Sequence, residues 1–259
     1  MENLWTKHAS ALAEAYVRSA GPVGFELVTR ALLTHMPSRP QRVVDIGGGF
    51  GQQAIMLARA GHSVVIVDID PNMISIAQDK LSSEPQEIRE RVKLVHGNGI
   101  EAIRLVGNNF DLACCHSVLK YESDPIPILS TLVKLVHQGG LISILSINTQ
   151  SLAMRFGLQG CWKEAKSILE SGKQISSQYL PIYEYSREEV INILRIEGAK
   201  SKEWYGVGVF TDHITDTIFV EDPEDVYSVE WLAGSLDPYR QVARCFHLIA
   251  ERITNDISK

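Results

Sequence analysis

Cysteine is scarce in this sequence: Cys114, Cys115, Cys161 and Cys245 are the only four in 259 residues. They make no C-x-x-C pair, which excludes a disulfide framework and a zinc ribbon. Cys114 and Cys115 are adjacent in an apolar run, as expected of buried thiols in a reducing compartment. The eight histidines show no H-x-x-x-H or mixed His/Cys spacing, so no metal centre is expected. G-x-S-x-G is also missing, which removes the serine-hydrolase elbow. No apolar run approaches the ~18 residues that span a bilayer. The opening MENLWTKHAS has an early acid and no leader-like apolar core. The expectation is a soluble cytoplasmic chain. Positive charge is in deficit too, with 25 Lys and Arg against 31 Asp and Glu, a net −6. Such a chain has no global field to draw in nucleic acid or an anionic membrane.

What is present is ordinary globular material. Hydrophobic residues make up 45% of the chain, ample for a sizeable core, and one domain is expected. Residues 1–38 read as helical, with Leu12, Ala15, Tyr16 and then Phe25, Val28, Leu32, Leu33 at three- and four-residue spacing. Gly21 and Pro22 separate two helices there.

From residue 42 short apolar runs alternate with amphipathic stretches. Strands are expected over 42–46, 63–67, 92–95, 111–115 and 141–147. Helices are expected over 52–60, 71–81 and 125–136, the last ended by Gly139-Gly140. Continuous apolar strands alternating with helices imply an α/β fold: a doubly wound, mostly parallel sheet covered on both faces. Beyond residue 148 the spacing predicts helices over 151–172, 187–197 and 242–253, and strands over 204–210 and 218–220.

The informative segment is Val43-Val44-Asp45-Ile46-Gly47-Gly48-Gly49-Phe50-Gly51. A strand enters a glycine turn and a helix follows, so a ligand can approach the backbone at Gly47, Gly49 and Gly51. The spacing is not that of a dinucleotide site. Asp45 lies two residues before the first glycine, where a carboxylate repels a pyrophosphate and suits a cation. Asp68 closes the next strand, Val64-Val65-Ile66-Val67-Asp68, where an acid can accept from ribose hydroxyls. Asp70 precedes Pro71 and reads as a helix N-cap.

D-I-G-G-G-F-G followed by V-D-I-D-P-N-M-I resembles the class I S-adenosylmethionine-dependent methyltransferases over roughly residues 40–148. The resemblance implies the Rossmann-like fold of that family and S-adenosylmethionine as cofactor. Asp45 and the glycines would hold its amino-acid end and Asp68 its ribose, with Ile69 and Met73 beside them. His96-Gly97-Asn98-Gly99 matches the adenine-contacting turn, with Asn98 where the family usually has an acid. His116 would face the cofactor from the fourth strand. The division implied is a helical lid over 1–38, a cofactor-binding core over 39–150, and a cover over 151–259 that faces the substrate and completes the sheet.

The H-S-V-L-K-Y and S-I-N-T-Q segments carry a closer likeness, to bacterial methyltransferases that esterify a carboxymethoxyuridine in tRNA. Those enzymes carry Lys and Arg near the N-terminus, where this chain has Tyr16-Val17-Arg18. They also carry an arginine on a late strand, where this chain reads Gly206-Val207-Gly208-Val209-Phe210. The missing cations argue against nucleic acid and for a small-molecule substrate.

His116 titrates in the right range to be a general base. Asn148 ends the fifth strand, where ligands of open parallel sheets lie. His116, Asn148 and Tyr185 are therefore the catalytic candidates. Tyr16, Arg18, Tyr179, Tyr183 and Phe210 are the substrate-side candidates, the tyrosines through cation–π contact. Trp5 would belong to the lid, and Tyr205, Asp212 and His213 could line the pocket. The leading reading is methyl transfer to a small acceptor. The alternatives are cyclisation of S-adenosylmethionine to azetidine-2-carboxylate, tRNA wobble-uridine methylation, and binding of S-adenosylmethionine without catalysis.

Overall fold

The computed structural model describes residues 21–173, 181–212 and 223–253. Expectations for Trp5, Tyr16, Arg18, Tyr179, His213 and a strand over 218–220 lie outside the described residues. The helices are α1 (Gly21–His35), α2 (Gln52–Arg59), α3 (Pro71–Ser82), α4 (Gln86–Arg89), α5 (Ala102–Val106), α6 (Ile126–Leu135), α7 (Met154–Leu158), α8 (Trp162–Ser171), α9 (Arg187–Ile196) and α10 (Pro223–Ser235). The strands are β1 (Arg42–Ile46), β2 (Ser63–Asp68), β3 (Val92–His96), β4 (Phe110–His116), β5 (Val136–Ile147), β6 (Ala199–Val207) and β7 (Cys245–Arg252).

The strands form one sheet in the order β3-β2-β1-β4-β5-β7-β6. β1 to β5 pair in parallel, and β7 runs antiparallel to both β5 and β6. The doubly wound, mostly parallel reading holds. Alternate residues feed two cores. Phe246, Leu248 and Ala250 of β7 join α6 and α9 on one face, while Ile249 joins α1 and α2 on the other. The chain leaves β1 toward β2 and later returns to its other side as β4. That reversal opens a crevice at the carboxyl ends of β1 and β4, where open α/β sheets bind ligands.

Three expectations need correction. Residues 242–253 do not form a helix: Cys245–Arg252 is strand β7. Both its faces are buried, so its apolar run carries no period to separate strand from helix. The helix expected over 151–172 is two, α7 and α8, parted at Gly160 with φ +74°. Gly139-Gly140 does not cap α6 but lies in β5, beside a register shift between Phe110 and Leu112. Helix α10 had no sequence signal that was read. Within 1–38, α1 buries Leu27, Val28, Ala31 and Leu32 against the sheet, as a flanking-layer helix does.

Helix α10 fixes the loop after β6. The Glu230 carboxylate, 1% exposed, accepts the backbone N–H groups of Val209, Phe210 and Thr211 at 2.9, 2.9 and 2.7 Å. Removing it strands three backbone donors, two of them buried. Glu230→Ala is expected to cost ~3 kcal/mol or more of stability. Hydrogen exchange at those three amides should accelerate. Unchanged exchange there would refute the assignment.

Candidate active site

The turn after β1 is built from glycine because nothing else fits. Gly47, Gly49 and Gly51 have φ of +69°, +53° and +77°, the left-handed region that side chains disfavour. Gly48 has an ordinary φ but lies over an acid: a Cβ there would stand 2.8 Å from Asp45 Oδ2 and 3.0 Å from Ile66 Cγ2. The sequence reading passed over Gly48, since close approach leaves no mark in a glycine run. The Gly47 N–H donates to Val67 O at 2.7 Å, which ties the turn to the end of β2.

Asp45 is 2% exposed under this turn, and no hydrogen bond to its side chain is made among the described residues. Burial, with the nearby Asp68 charge adding to it, pushes its carboxyl up to about 7. A buried acid in that state calls for a cation. Asp68 is better supported. Its Oδ2 accepts from Gly49 N–H at 2.8 Å and its Oδ1 from Asp70 N–H at 2.9 Å. Burial still raises its pKa against those two bonds. Each oxygen keeps a lone pair for a further donor. Asp70 caps α3 through Asn72 N–H at 2.8 Å, as expected.

The third-strand turn lies alongside. A hydrogen bond of 3.0 Å links His96 Nε2 to Ile69 O, and Asn98 Oδ1 accepts from Ile100 N–H at 2.9 Å. Gly99 leaves room for Ile46 and Ile128. Ile69 stays 46% exposed and Met73 half-buried, an apolar wall beside the acids. These residues suit S-adenosylmethionine: an unpaired acid under a glycine turn for its cationic end, and an acid with free lone pairs for a diol.

The catalytic candidates separate. His116 closes β4 beside the crevice, 2.8 Å from Ser143 Oγ, and burial pushes its imidazole down to about 4. It is therefore neutral at physiological pH. Asn148 is spent elsewhere. Its Nδ2 donates to the Gln241 and Ala243 carbonyls at 2.9 and 3.0 Å, and its Oδ1 accepts from Gln150 N–H at 3.2 Å. It brackets β5 to the chain entering β7 rather than facing a reacting atom. The Tyr185 hydroxyl donates to Glu122 O at 2.6 Å, and Tyr183 N–H to Lys120 O at 2.8 Å. Residues 183–185 thus run along the loop after β4. Phe210 is 40% exposed, its ring 6.3 Å from that of Tyr239.

A shallow cleft lies between α7 and the loop after β6, lined by Ser151, Arg155, Gly208, Asp212 and Arg244 among others. Arg244 Nε stands 3.7 Å from Asp212 Oδ1, too far for a hydrogen bond. Sequence reading missed both arginines because they are 89 residues apart and fall in no motif.

Asp45 gives a prediction with a definite sign. Its folded pKa is raised above the unfolded value, so its ionisation opposes folding increasingly between pH ~4 and ~7, by up to ~4 kcal/mol at higher pH. Asp45→Asn should therefore gain stability at pH 8 relative to pH 5 in scanning calorimetry, while losing affinity for S-adenosylmethionine. An equal change at both pH values would refute the buried acid. Asp68→Ala should weaken binding of S-adenosylhomocysteine by ~1–3 kcal/mol in titration calorimetry; unaltered affinity would remove Asp68 from the site.

Residues 44–144 match the family described as "Methyltransferase domain". The chain is 27% identical over 222 residues to the tRNA 5-carboxymethoxyuridine methyltransferase of Escherichia coli (strain K12), covering 85% of this chain and 84% of that one. It is 31% identical over 113 residues to the mitochondrial ubiquinone biosynthesis O-methyltransferase of Schizosaccharomyces pombe, 44% of this chain and 40% of that one. Among solved structures it shares its fold with an S-adenosylmethionine-dependent methyltransferase of Thermotoga maritima described as a possible histamine N-methyltransferase. That likeness has a TM-score of 0.62 at 14% identity and covers 97% of this chain and 100% of the other. The strand order, the acid under its glycine turn and these matches agree: residues 44–144 match a methyltransferase domain, and the chain is similar to the class I S-adenosylmethionine-dependent methyltransferases.

Proposed function

We propose that this enzyme transfers the methyl group of S-adenosylmethionine to a small-molecule acceptor. The observation that carries the reading is the buried, unpartnered Asp45 carboxylate under the glycine turn, with Asp68 at the next strand end. When bound, S-adenosylmethionine supplies a sulfonium that is already a potent electrophile. The chain's own task is then to orient, exclude water and align a nucleophile. Asp45 and the backbone of 47–51 hold the cationic end. Asp68 takes the ribose, and Ile69, Met73, Asn98 and Gly99 surround the base. His116, Tyr183, Tyr185 and Phe210 shape the reacting side. Tyr16, Arg18 and Tyr179 belong to the same proposed acceptor side. The cleft lined by Arg155 and Arg244 holds the acceptor. Residues 1–259 act as one unit, a cofactor-binding core over 39–150 with a lid before it and a cover after it. No helix among the described residues is long and apolar enough to cross a membrane. A cytoplasmic location is part of the proposal.

Similarity along most of the chain to the Escherichia coli tRNA enzyme favours a second reading, methylation of a tRNA wobble uridine. The net charge of −6 weighs against it. Cyclisation loses support because the Asn148 amide and the Tyr185 hydroxyl already have partners. Binding without catalysis differs from all of these in giving no product.

Mass spectrometry separates the four. With S-adenosylmethionine alone, the cofactor should survive intact. With a panel of small carboxylates, amines and phenols, S-adenosylhomocysteine should accumulate with one class. Methylthioadenosine from the cofactor alone would establish cyclisation. Methylation of bulk tRNA that falls steeply with salt would establish the second reading. Binding with no turnover on either set would leave a binding protein.

A further inference from the structure

The carboxyl ends of β4, β5 and β6 share one edge of the sheet with the start of β7, because β5 pairs parallel to β4 and β7 runs antiparallel to β5 and β6. The shallow cleft between α7 and the loop after β6 therefore opens on the same edge as the glycine turn and His116. Its lining includes two guanidiniums, Arg155 of α7 and Arg244 at the entry to β7, and one carboxylate, Asp212.

These two arginines differ from the others. The side chains of Arg30, Arg42, Arg59, Arg89 and Arg91 each donate a hydrogen bond. So do those of Arg104, Arg187, Arg195, Arg240 and Arg252. Arg39 makes only a 3.9 Å ion pair, with its side chain 71% exposed. Neither the Arg155 nor the Arg244 guanidinium donates a hydrogen bond among the described residues, although Arg155 is half-buried and the Arg244 side chain is only 23% exposed. Arg244 meets Asp212 as a 3.7 Å ion pair, which leaves its N–H fork unused. One carboxylate against two guanidiniums leaves a positive charge in the cleft of a chain whose net charge is −6. A guanidinium drawn partly out of water with idle donors is unfavourable until an oxyanion takes the fork.

The position of Arg244 is fixed in advance. Its backbone N–H donates to Gly208 O at 3.0 Å, and its carbonyl accepts from Asn148 N–H at 3.0 Å. The side chain thus starts from a main chain tied to the ends of both β5 and β6. Lys120, from the loop after β4, lies on the same side: burial raises the Cys245 thiol pKa, and the charges of Arg244 and then Lys120 oppose that rise. Met154, Leu158, Val209 and Val242 supply an apolar lining. The ligand that fits is an oxyanion on an apolar body.

We propose that the acceptor is anionic, and that Arg155 and Arg244 grip a carboxylate or phosphate group on an otherwise apolar small molecule. Asp212 neutralises only part of the charge of the pair. The inference rests on the reading that this cleft receives the acceptor of methyl transfer; the anion site itself is measured without turnover.

The test is titration calorimetry of the full chain saturated with S-adenosylhomocysteine, which occupies the glycine turn and keeps the probes from it. The probes are benzoate, succinate and inorganic phosphate, with benzylamine as the cationic counterpart of benzoate. At least one anion should bind, and the three anions distinguish a carboxylate from a phosphate ligand. Arg155→Gln and Arg244→Gln should each weaken that binding roughly tenfold or more, as loss of a charge-assisted hydrogen bond does. Affinity for S-adenosylhomocysteine should stay within about twofold. Arg155→Lys should restore part of the loss, since it keeps the charge without the fork. No saturable binding of any anion below about 10 mM would overturn the proposal. So would anion binding that both glutamine variants leave unchanged, or benzylamine binding that Asp212→Asn abolishes. Should Arg244→Gln not fold, Arg155→Gln on the short outer helix decides. Anion binding lost in the variants, with no S-adenosylhomocysteine formed from any acceptor, would strike the methyl-transfer reading and leave the anion site standing. Turnover of an uncharged acceptor that Arg155→Gln leaves unchanged would do the reverse.

Discussion

A carboxylate buried beneath a glycine turn is the constraint around which this molecule is arranged. Asp45 has almost no contact with water and is held next to a second acid, Asp68. That arrangement costs stability in the empty protein and is tolerable only where a cation arrives. The turn above it must be glycine, because three of its residues are left-handed and Gly48 leaves the room that the carboxylate occupies. β1 must sit centrally, so that β2 delivers Asp68 on one side and β4 delivers His116 on the other.

The rest of the chain serves to hold that crevice. Beyond β5, loops are pinned by buried polar groups rather than by packing alone. Glu230 gathers three backbone donors after β6, and Asn148 with Ser151 ties β5 to the carbonyls before β7. Ser151 Oγ and Asn148 Nδ2 both donate to Ala243 O, at 2.6 and 3.0 Å. Trp204 lies between two guanidiniums, Arg187 at 3.8 Å and Arg240 at 4.4 Å from its ring centre. These contacts join segments far apart in the chain.

The depressed imidazole at His116 belongs to the same logic. A neutral ring at the end of β4 adds no positive charge beside a cationic cofactor. Its hydrogen bond to Ser143 runs into the sheet, so its orientation is set by β5 and β7 rather than by its own loop.

The sequence determined the parallel core and the cofactor end of the site. Strand, glycine turn and helix follow one another directly, and Asp45, Gly47 and Asp68 each fall at a strand end that local pattern locates. The arrangement beyond β5 was decided by tertiary structure alone. Asn148 looked like a group facing the substrate until its amide was found donating to Gln241 and Ala243, over ninety residues away. Strand β7 read as a helix because burial on both faces erases the period that distinguishes the two. Glu230, Ser143, Arg155 and Arg244 carry no local motif. Their roles come from pairings between distant segments, which periodicity and spacing along one chain cannot encode.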